Sequence, residues 1–339
     1  LTIGITAYRE GRWLQECWDS VAAQTDPRWE AVLVLDGGAS RATRRIFERL
    51  LHPRLRKLRL LENGGPYRAR ARAIQEARTG WYAHLDADDR LPAEAVARIL
   101  AALERQPEAQ FVFGDTLYFS ARSGRMSDFL TPILSFSRTR GEVSEGREGV
   151  AVKWPNLPDT AFRSGRFELK PIQTFNIDGL VYGPAITGVT PIAIALYRFV
   201  GGYAPSLVQG GADWDFWIGV AEAGAAGVRA DGVLYERRSR PRSVGAGWIV
   251  RRPEVARIII ERHPQYFSDP DRRRRCIGYS CELAARALRA KGRRQEAARQ
   301  ASQAVELGFD SQAMQAIIEE GNMSPWRYLL RRLGRLLPG

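Results

Sequence analysis

The chain has 339 residues and a formal net charge of +13, with 51 Lys and Arg against 38 Asp and Glu. Hydrophobic residues make up 45% of it, enough for a core in two domains or in one large domain with an appendage. This composition excludes a disordered chain, no run reaches the ~18 apolar residues of a membrane span, and Cys17, Cys276 and Cys281 lack the spacing of a zinc site or disulfide framework.

Taken in order, the first hundred residues alternate between two periodicities. A buried strand is predicted at 1–6 (LTIGIT). A helix over 12–24 puts Leu14, Cys17, Trp18, Val21 and Ala22 on one face. A strand at 29–36 (WEAVLVLD) precedes a helix over 41–51 with Ile46, Phe47, Leu50 and Leu51 inward. A weaker strand at 55–62 and a helix over 66–77 follow, then a strand at 81–86 (WYAHLD). Pro92 is expected to open a helix over 92–106, and 109–116 (AQFVFGDT) is the last strand of the series. Such alternation implies an α/β fold, a Rossmann-like doubly wound, mostly parallel sheet. Residues 120–175 carry no readable period. Order returns from 176, and beyond about 250 the pattern is helical. Residues 278–308 read as two helices joined at Lys291-Gly292, similar to one tetratricopeptide unit. The end of the chain, 324–339, reads as a basic amphipathic helix with Trp326, Leu329, Leu330, Leu333, Leu336 and Leu337 on one side.

In doubly wound sheets, ligands gather at the carboxyl ends of the strands. Those ends here carry Tyr8, Asp36-Gly37-Gly38, Asn63-Gly64-Gly65 and Asp86-Ala87-Asp88. If the strand continues through this segment, Asp86 and Asp88 face the same way, and two carboxylates in one cleft need a shared proton or a cation. Mg²⁺ or Mn²⁺ is the natural partner where a substrate phosphate supplies further oxygens. The plainer alternative is a solvated turn, with Asp89 favouring the start of the next helix. The glycines of ENGG are no phosphate loop, because neither phosphate-binding glycine pattern occurs there.

The segments ITAYREGRWLQECWDSVAAQT, WEAVLVLDGGAS, ENGGPYRARARAI and GWYAHLDADDRLP together resemble the GT-A nucleotide-sugar domain of family 2 glycosyltransferases. GGADWDFWIGVAEAG and LYERRSRPRSVG extend the resemblance to residues 1–245, divided into a nucleotide-sugar half (1–116) and an acceptor half (117–245). Residues 246–339 are then a helical C-terminal region. The resemblance implies an inverting, metal-dependent transfer of sugar from a nucleotide-diphosphate sugar, with UDP as the expected nucleotide. It puts Thr6, Ala7, Tyr8 and Asp36 at the base, Arg70 near base and phosphates, and Asp86 with Ala87 at the ribose. Asp88 would hold the Mn²⁺ or Mg²⁺ that bridges the diphosphate. Arg238 and Arg240 match a basic loop over the pyrophosphate, and Asp213 matches the catalytic base, with Asp215 the alternative. Such chemistry needs a base beside the acceptor and charge stabilisation on the leaving diphosphate, with no covalent intermediate.

The chain departs from the family pattern at Ala212, where a Glu often precedes the base, and at Arg9 and Ala71, where Asn is common. The first departure motivates an alternative, a non-catalytic nucleotide-sugar-binding scaffold. The expected acceptor is a saccharide, lipid-linked or peptide group. The cysteine usage and missing signal peptide suggest a cytoplasmic location, and 324–339 suggests contact with an anionic membrane. A homodimer through the C-terminal helices is the expected self-association. No nucleic-acid partner is expected, since the basic residues are dispersed and no recognition motif accompanies them. His84 reads as a packed residue on the Asp86 face, and Trp214, Trp217 and Trp248 as core or sugar subsite.

Overall fold

Thr2–Ala7, six buried residues, form β1, and the first half of the chain is built around that strand. The computed structural model describes residues 1–120, 167–170, 175, 177–184, 189–207, 210–239, 248–324 and 326–327. β2 (Glu30–Leu35), β3 (Leu55–Arg59) and β4 (Trp81–Asp86) run parallel to β1, with Thr6 opposite both Val34 and Asp86. β5 (Phe111–Ser120), β6 (Phe167–Lys170), β7 (Ile192–Ala193) and β8 (Gly227–Ser239) complete the sheet among the described residues. The order is β3-β2-β1-β4-β7-β5-β6, and β8 pairs parallel with β5. β7 is antiparallel to both β4 and β5, so the sheet is mixed and mostly parallel. A near-continuous apolar run such as that of β1 or β2 marks a strand covered on both faces.

The connecting helices are α1 (Trp13–Ala22), α2 (Arg41–Arg49), α3 (Gly65–Gln75) and α4 (Ala95–Arg105), and a short α5 (Ile194–Phe199) follows β7. Ser40 caps α2 by accepting from the Thr43 N–H at 3.2 Å. Leu14, Cys17, Trp18 and Val21 of α1 and Ile46 and Phe47 of α2 join Ile3, Ile5, Leu33 and Leu85 in one core. Two inward assignments fail: Ala22 is exposed, and Leu51 is 82% exposed. Each directly follows a buried residue, Val21 and Leu50, and it is that neighbour rather than the predicted residue that meets the core. Pro92 does not open α4 either. The helix starts at Ala95, and the Pro92 carbonyl instead accepts the Ala95 N–H at 2.9 Å in a preceding turn.

The chain divides into two compact units that interleave in sequence. The first holds Leu1–Phe175, Ile186–Gly202 and Ala225–Ser243; the second holds Asn176–Ala185, Tyr203–Gly224 and Val244–Gly339. The second unit contains a short 3-10 turn (Asp178–Tyr182) and α6 (Ala212–Glu222), α7 (Arg252–Arg262), α8 (Pro270–Ala290), α9 (Arg294–Glu306) and α10 (Gln312–Asn322). The joint between α8 and α9 falls at Lys291-Gly292, as its sequence suggests, with Gly292 at φ +75°. Cys281, Leu288, Ala297, Ala301, Met314 and Ile317 form the apolar centre of α8–α10. Among the described residues no helix is long and apolar enough to cross a membrane.

Candidate active site

The parallel ladder β3-β2-β1-β4 brings four strand ends side by side in the first unit. The Ala7 carbonyl accepts the Asp36 N–H at 2.8 Å, and the Thr6 carbonyl accepts the Ala87 N–H at 3.2 Å. Thr6, Ala7, Asp36 and Ala87 are thus knitted into one row of buried groups, with Tyr8 half-buried beside them. The Asp36 carboxylate accepts from Gly37, Gly64 and Gly65 N–H groups, each at 3.0 Å. It therefore ties the turn after β2 to the start of α3. A β-carbon on Gly37 would lie 2.2 Å from the Glu62 backbone, so glycine is the residue that allows this approach. Arg9, the departure noted above, stacks its guanidinium 4.7 Å from the centre of the Tyr8 ring.

Asp86 ends β4 and gathers three partners. Arg70 of α3 donates to both of its oxygens at 2.9 and 3.1 Å, His84 Nε2 lies 3.1 Å from Oδ1, and the Thr6 hydroxyl lies 3.4 Å away. Burial pushes the Asp86 carboxyl up, but the charge of Arg70, reinforced by His84, holds it well below the ordinary carboxylate range. His84 is thus a partner of Asp86 as well as a packed ring.

The strand does not continue to Asp88. Ala87 and Asp88 form a turn, closed by the Asp89 N–H donating to the Asp86 carbonyl at 2.9 Å, so the shared-face geometry gives way to a tight loop. The end of β8 fixes that loop. Asp89 accepts the Arg238 N–H at 2.6 Å and the Tyr235 hydroxyl, and Arg238 Nε donates to the Asp88 carbonyl at 2.7 Å. Arg238 also donates to Glu16 of α1 at 2.5 Å and lies 5.3 and 4.5 Å from the Trp13 and Phe119 ring centres. Next door, Arg90 and Glu236 exchange two backbone hydrogen bonds, at 3.0 and 2.9 Å, and join side chains at 2.9 Å. Burial, then the charges of Asp88 and Asp86, push the Asp89 carboxyl well above its ordinary value. Asp89 is a keystone of the loop, and the alternative of a helix-start carboxylate does not describe it.

Asp213 and Asp215 lie in the second unit, in the first turn of α6. Gly211 precedes them at φ +92°, with the side chain of Val255 where a β-carbon would stand. The two carboxylates differ sharply. Asp215 is 2% exposed and receives Arg262 at 2.7 and 3.2 Å and His263 at 3.1 Å. Burial raises its carboxyl, yet those hydrogen bonds leave it below the ordinary value. Asp213 is half-buried and accepts its neighbour's Trp214 N–H at 2.9 Å. Trp214 is fully buried, and its indole donates to the Leu180 carbonyl at 2.5 Å. Trp214 and Trp217 are core residues.

Thr6, Arg70, Asp86 and His84 thus meet directly, and Arg238 reaches the Asp88 backbone. Arg240, the unreadable 121–166 and nearly all of the terminal helix lie outside the described residues; of that helix, Trp326 is 69% exposed. Sequence reasoning passed over Glu16, Tyr235 and His263. Tyr235 sits in the β-forming run Val233-Leu234-Tyr235, a strand signal that was available; Glu16 and His263 carry no local signal, since their partners are distant in the chain. No group of three or more His, Cys, Asp or Glu side chains suited to a metal occurs among the described residues. Asp86 and Asp89 accept hydrogen bonds from protein donors; a metal at this turn would be held by Asp88 with oxygens that a diphosphate brings. That fits a hard cation arriving with its substrate.

Residues 2–155 match the profile described as Glycosyl transferase family 2. A comparison with curated proteins gives no match. Among solved structures the chain is similar to TarS 1-349 from S. aureus, at 14% identity and a TM-score of 0.55, covering 90% of this chain and 80% of that one. It is also similar to the complex of TarS 1-349 with UDP-GlcNAc, at 15% identity and a TM-score of 0.52, with coverage of 90% and 88%. A third is the mannosyltransferase PcManGT from Pyrobaculum calidifontis with GDP-Man and Mn²⁺, at 18% identity and a TM-score of 0.52, covering 96% and 81%. At these identities the likeness is one of fold, and that fold is GT-A-like.

Proposed function

We propose, from the premise that residues 2–155 are a Glycosyl transferase family 2 domain acting on a nucleotide sugar, that the protein is an inverting, metal-dependent transferase. Its donor is a UDP-sugar, and its acceptor is a saccharide, lipid-linked or peptide hydroxyl. The observation that carries the donor half is the turn at Asp88. There Asp86 is held by Arg70 and Asp89 by Tyr235 and the Arg238 backbone, and Asp88, the family-matched carboxylate at the tip of the turn they brace, would hold a Mn²⁺ or Mg²⁺. Asp36, with three backbone donors, keeps acceptor capacity for the edge of the base, because an ionised carboxylate offers about four lone-pair sites. Thr6, Ala7 and Tyr8 flank that base, and Asp86 with Ala87 meets the ribose. Arg238 serves the leaving group through the loop that it holds, and Arg240 is the cation for the pyrophosphate itself.

Asp213 is the base that removes the acceptor proton. The contrast with Asp215 supports it, since a carboxylate held by Arg262 and His263 is too well satisfied to take a proton near neutral pH. A metal held at Asp88 would supply Lewis-acid stabilisation of the leaving diphosphate. The GDP-Man and UDP-GlcNAc complexes among the structural matches leave the base to experiment. A thermal-shift panel with UDP, GDP, dTDP and CDP, each with Mn²⁺ and with EDTA, decides it. A ligand at about 100 times its Kd adds about 2.7 kcal/mol of apparent stability. A metal-dependent shift with UDP alone is expected; no shift with any nucleotide sinks the donor site and favours a scaffold.

A further inference from the structure

The second unit holds a buried ionic arrangement between α6 and the end of α7 that the transfer chemistry does not use. His263 follows α7 and lies between the two ends of α6. Its Nδ1 stands 2.7 Å from Glu222 Oε2 in the last turn, and its Nε2 stands 3.1 Å from Asp215 Oδ1 in the first. A neutral imidazole has one donor and one acceptor nitrogen, whereas two ionised carboxylates ask for two donors. The ring is 7% exposed, so water cannot substitute freely. Arg262, the neighbouring residue of α7, donates twice to Asp215, and the Tyr266 N–H donates to Glu222 Oε1 at 2.9 Å. These are the charged and hydrogen-bonding groups that face the ring from α6, from α7 and from the turn after it.

We propose that His263 is a positioning residue: as an imidazolium it straps the first turn of α6 to the last, and so fixes Asp213. The inference rests on the reading of Asp213 as the base. Among the described residues Asp213 accepts one hydrogen bond, from the Trp214 N–H, so its aim depends on how firmly the turn beneath it is held. Burial pulls the His263 pKa down, but its hydrogen bonds and charge pairs with Asp215 and Glu222 outweigh that and raise it above the ordinary imidazole value. The strap is therefore complete below about pH 6.5 and is lost as pH rises through the raised value of the folded chain. Loss of one proton removes one of the two carboxylate bonds and loosens one end of α6.

The chain has three histidines, so imidazole nitrogen NMR can follow each through a titration, with His263→Gln supplying the assignment. His263 is expected to remain doubly protonated above about pH 6.5. Hydrogen exchange of the first turn of α6 should be slow at low pH, faster once His263 titrates, and fast at every pH in His263→Gln. Transfer by that variant should show kcat reduced about tenfold, donor KM within about twofold, and no alkaline fall in its pH profile. Glu222→Gln, which keeps the ring and removes one carboxylate charge, should move the alkaline fall of the profile to lower pH. A His263 ring that titrates at or below about 6.5, or first-turn exchange unchanged in His263→Gln, overturns the proposal. A wild-type protein with the expected titration and exchange but no transfer to any acceptor leaves the strap standing and removes the functional reading instead.

Discussion

The Asp86–Asp89 loop of the first unit and the start of α6 in the second pose one problem and solve it with different chemistry. On the proposed roles, each sets a working carboxylate beside one whose protein donors are plain: Asp88 beside Asp89, and Asp213 beside Asp215. The loop is locked by groups that keep their hydrogens across the working pH range, the Tyr235 hydroxyl, the Arg238 N–H and the Arg238 guanidinium. The helix is locked by Arg262 and by His263, a ring whose second proton is held by Asp215 and Glu222 and whose pKa they raise above the ordinary imidazole value. The donors that hold the loop thus keep their hydrogens over a pH range in which an imidazolium can lose one. A tight turn can be stapled through its backbone, as Asp89 is. A helix has already spent most of its backbone donors internally, so its orientation is set by side chains.

The first way to break this comparison is Asp88→Ala, which should abolish the metal-dependent nucleotide shift in melting. A retained shift would move the metal to another carboxylate. Next comes Asp213→Asn, expected to lower kcat about a thousandfold with donor affinity unchanged by calorimetry. If turnover survives and Asp215→Asn is the inactive one, the roles within α6 are exchanged. Asp215→Ala should behave as a stability variant. It strands Arg262 and His263, and chemical denaturation should show a loss of about 3 kcal/mol. Arg238→Lys keeps the charge but cannot reach the Asp88 carbonyl and Glu16 together, so metal-dependent UDP affinity should fall about tenfold. Tyr235→Phe removes one buried hydroxyl bond to Asp89 and should cost about 1–2 kcal/mol, read in the same denaturation experiment.

The parallel half of the sheet was open to reading because its signals are local. β1, α1, β2, α2, β3, α3 and β4 alternate in period, and short-range apolar spacing records that order. Strand ends then follow, and with them the positions of Tyr8, Asp36 and Asp86. β7 and β6 were invisible because two- and four-residue strands carry almost no period. The strand 81–86 was legible, but whether Asp86 and Asp88 share a face was not, because Asp-Ala-Asp reads equally well as strand or turn; the decision is made by Asp89 bonding to residues 146 and 149 positions away. The same holds for Asp215. Its sequence surroundings match those of Asp213, and only Arg262 and His263 distinguish the two.

The interleaving of the two units bears on the order in which the chain is made. Asp215 and Glu222 leave the ribosome before the residues that neutralise them, and His263 trails Glu222 by 41 positions. At roughly 5–20 residues per second, α6 spends a few seconds with an uncompensated carboxylate at each end. During that interval burying the helix is disfavoured, because each charge would enter the interior alone. Burial of α6 is thus timed by the end of α7, and a gene fragment ended between residues 222 and 262 would hold α6 permanently at that unfinished stage.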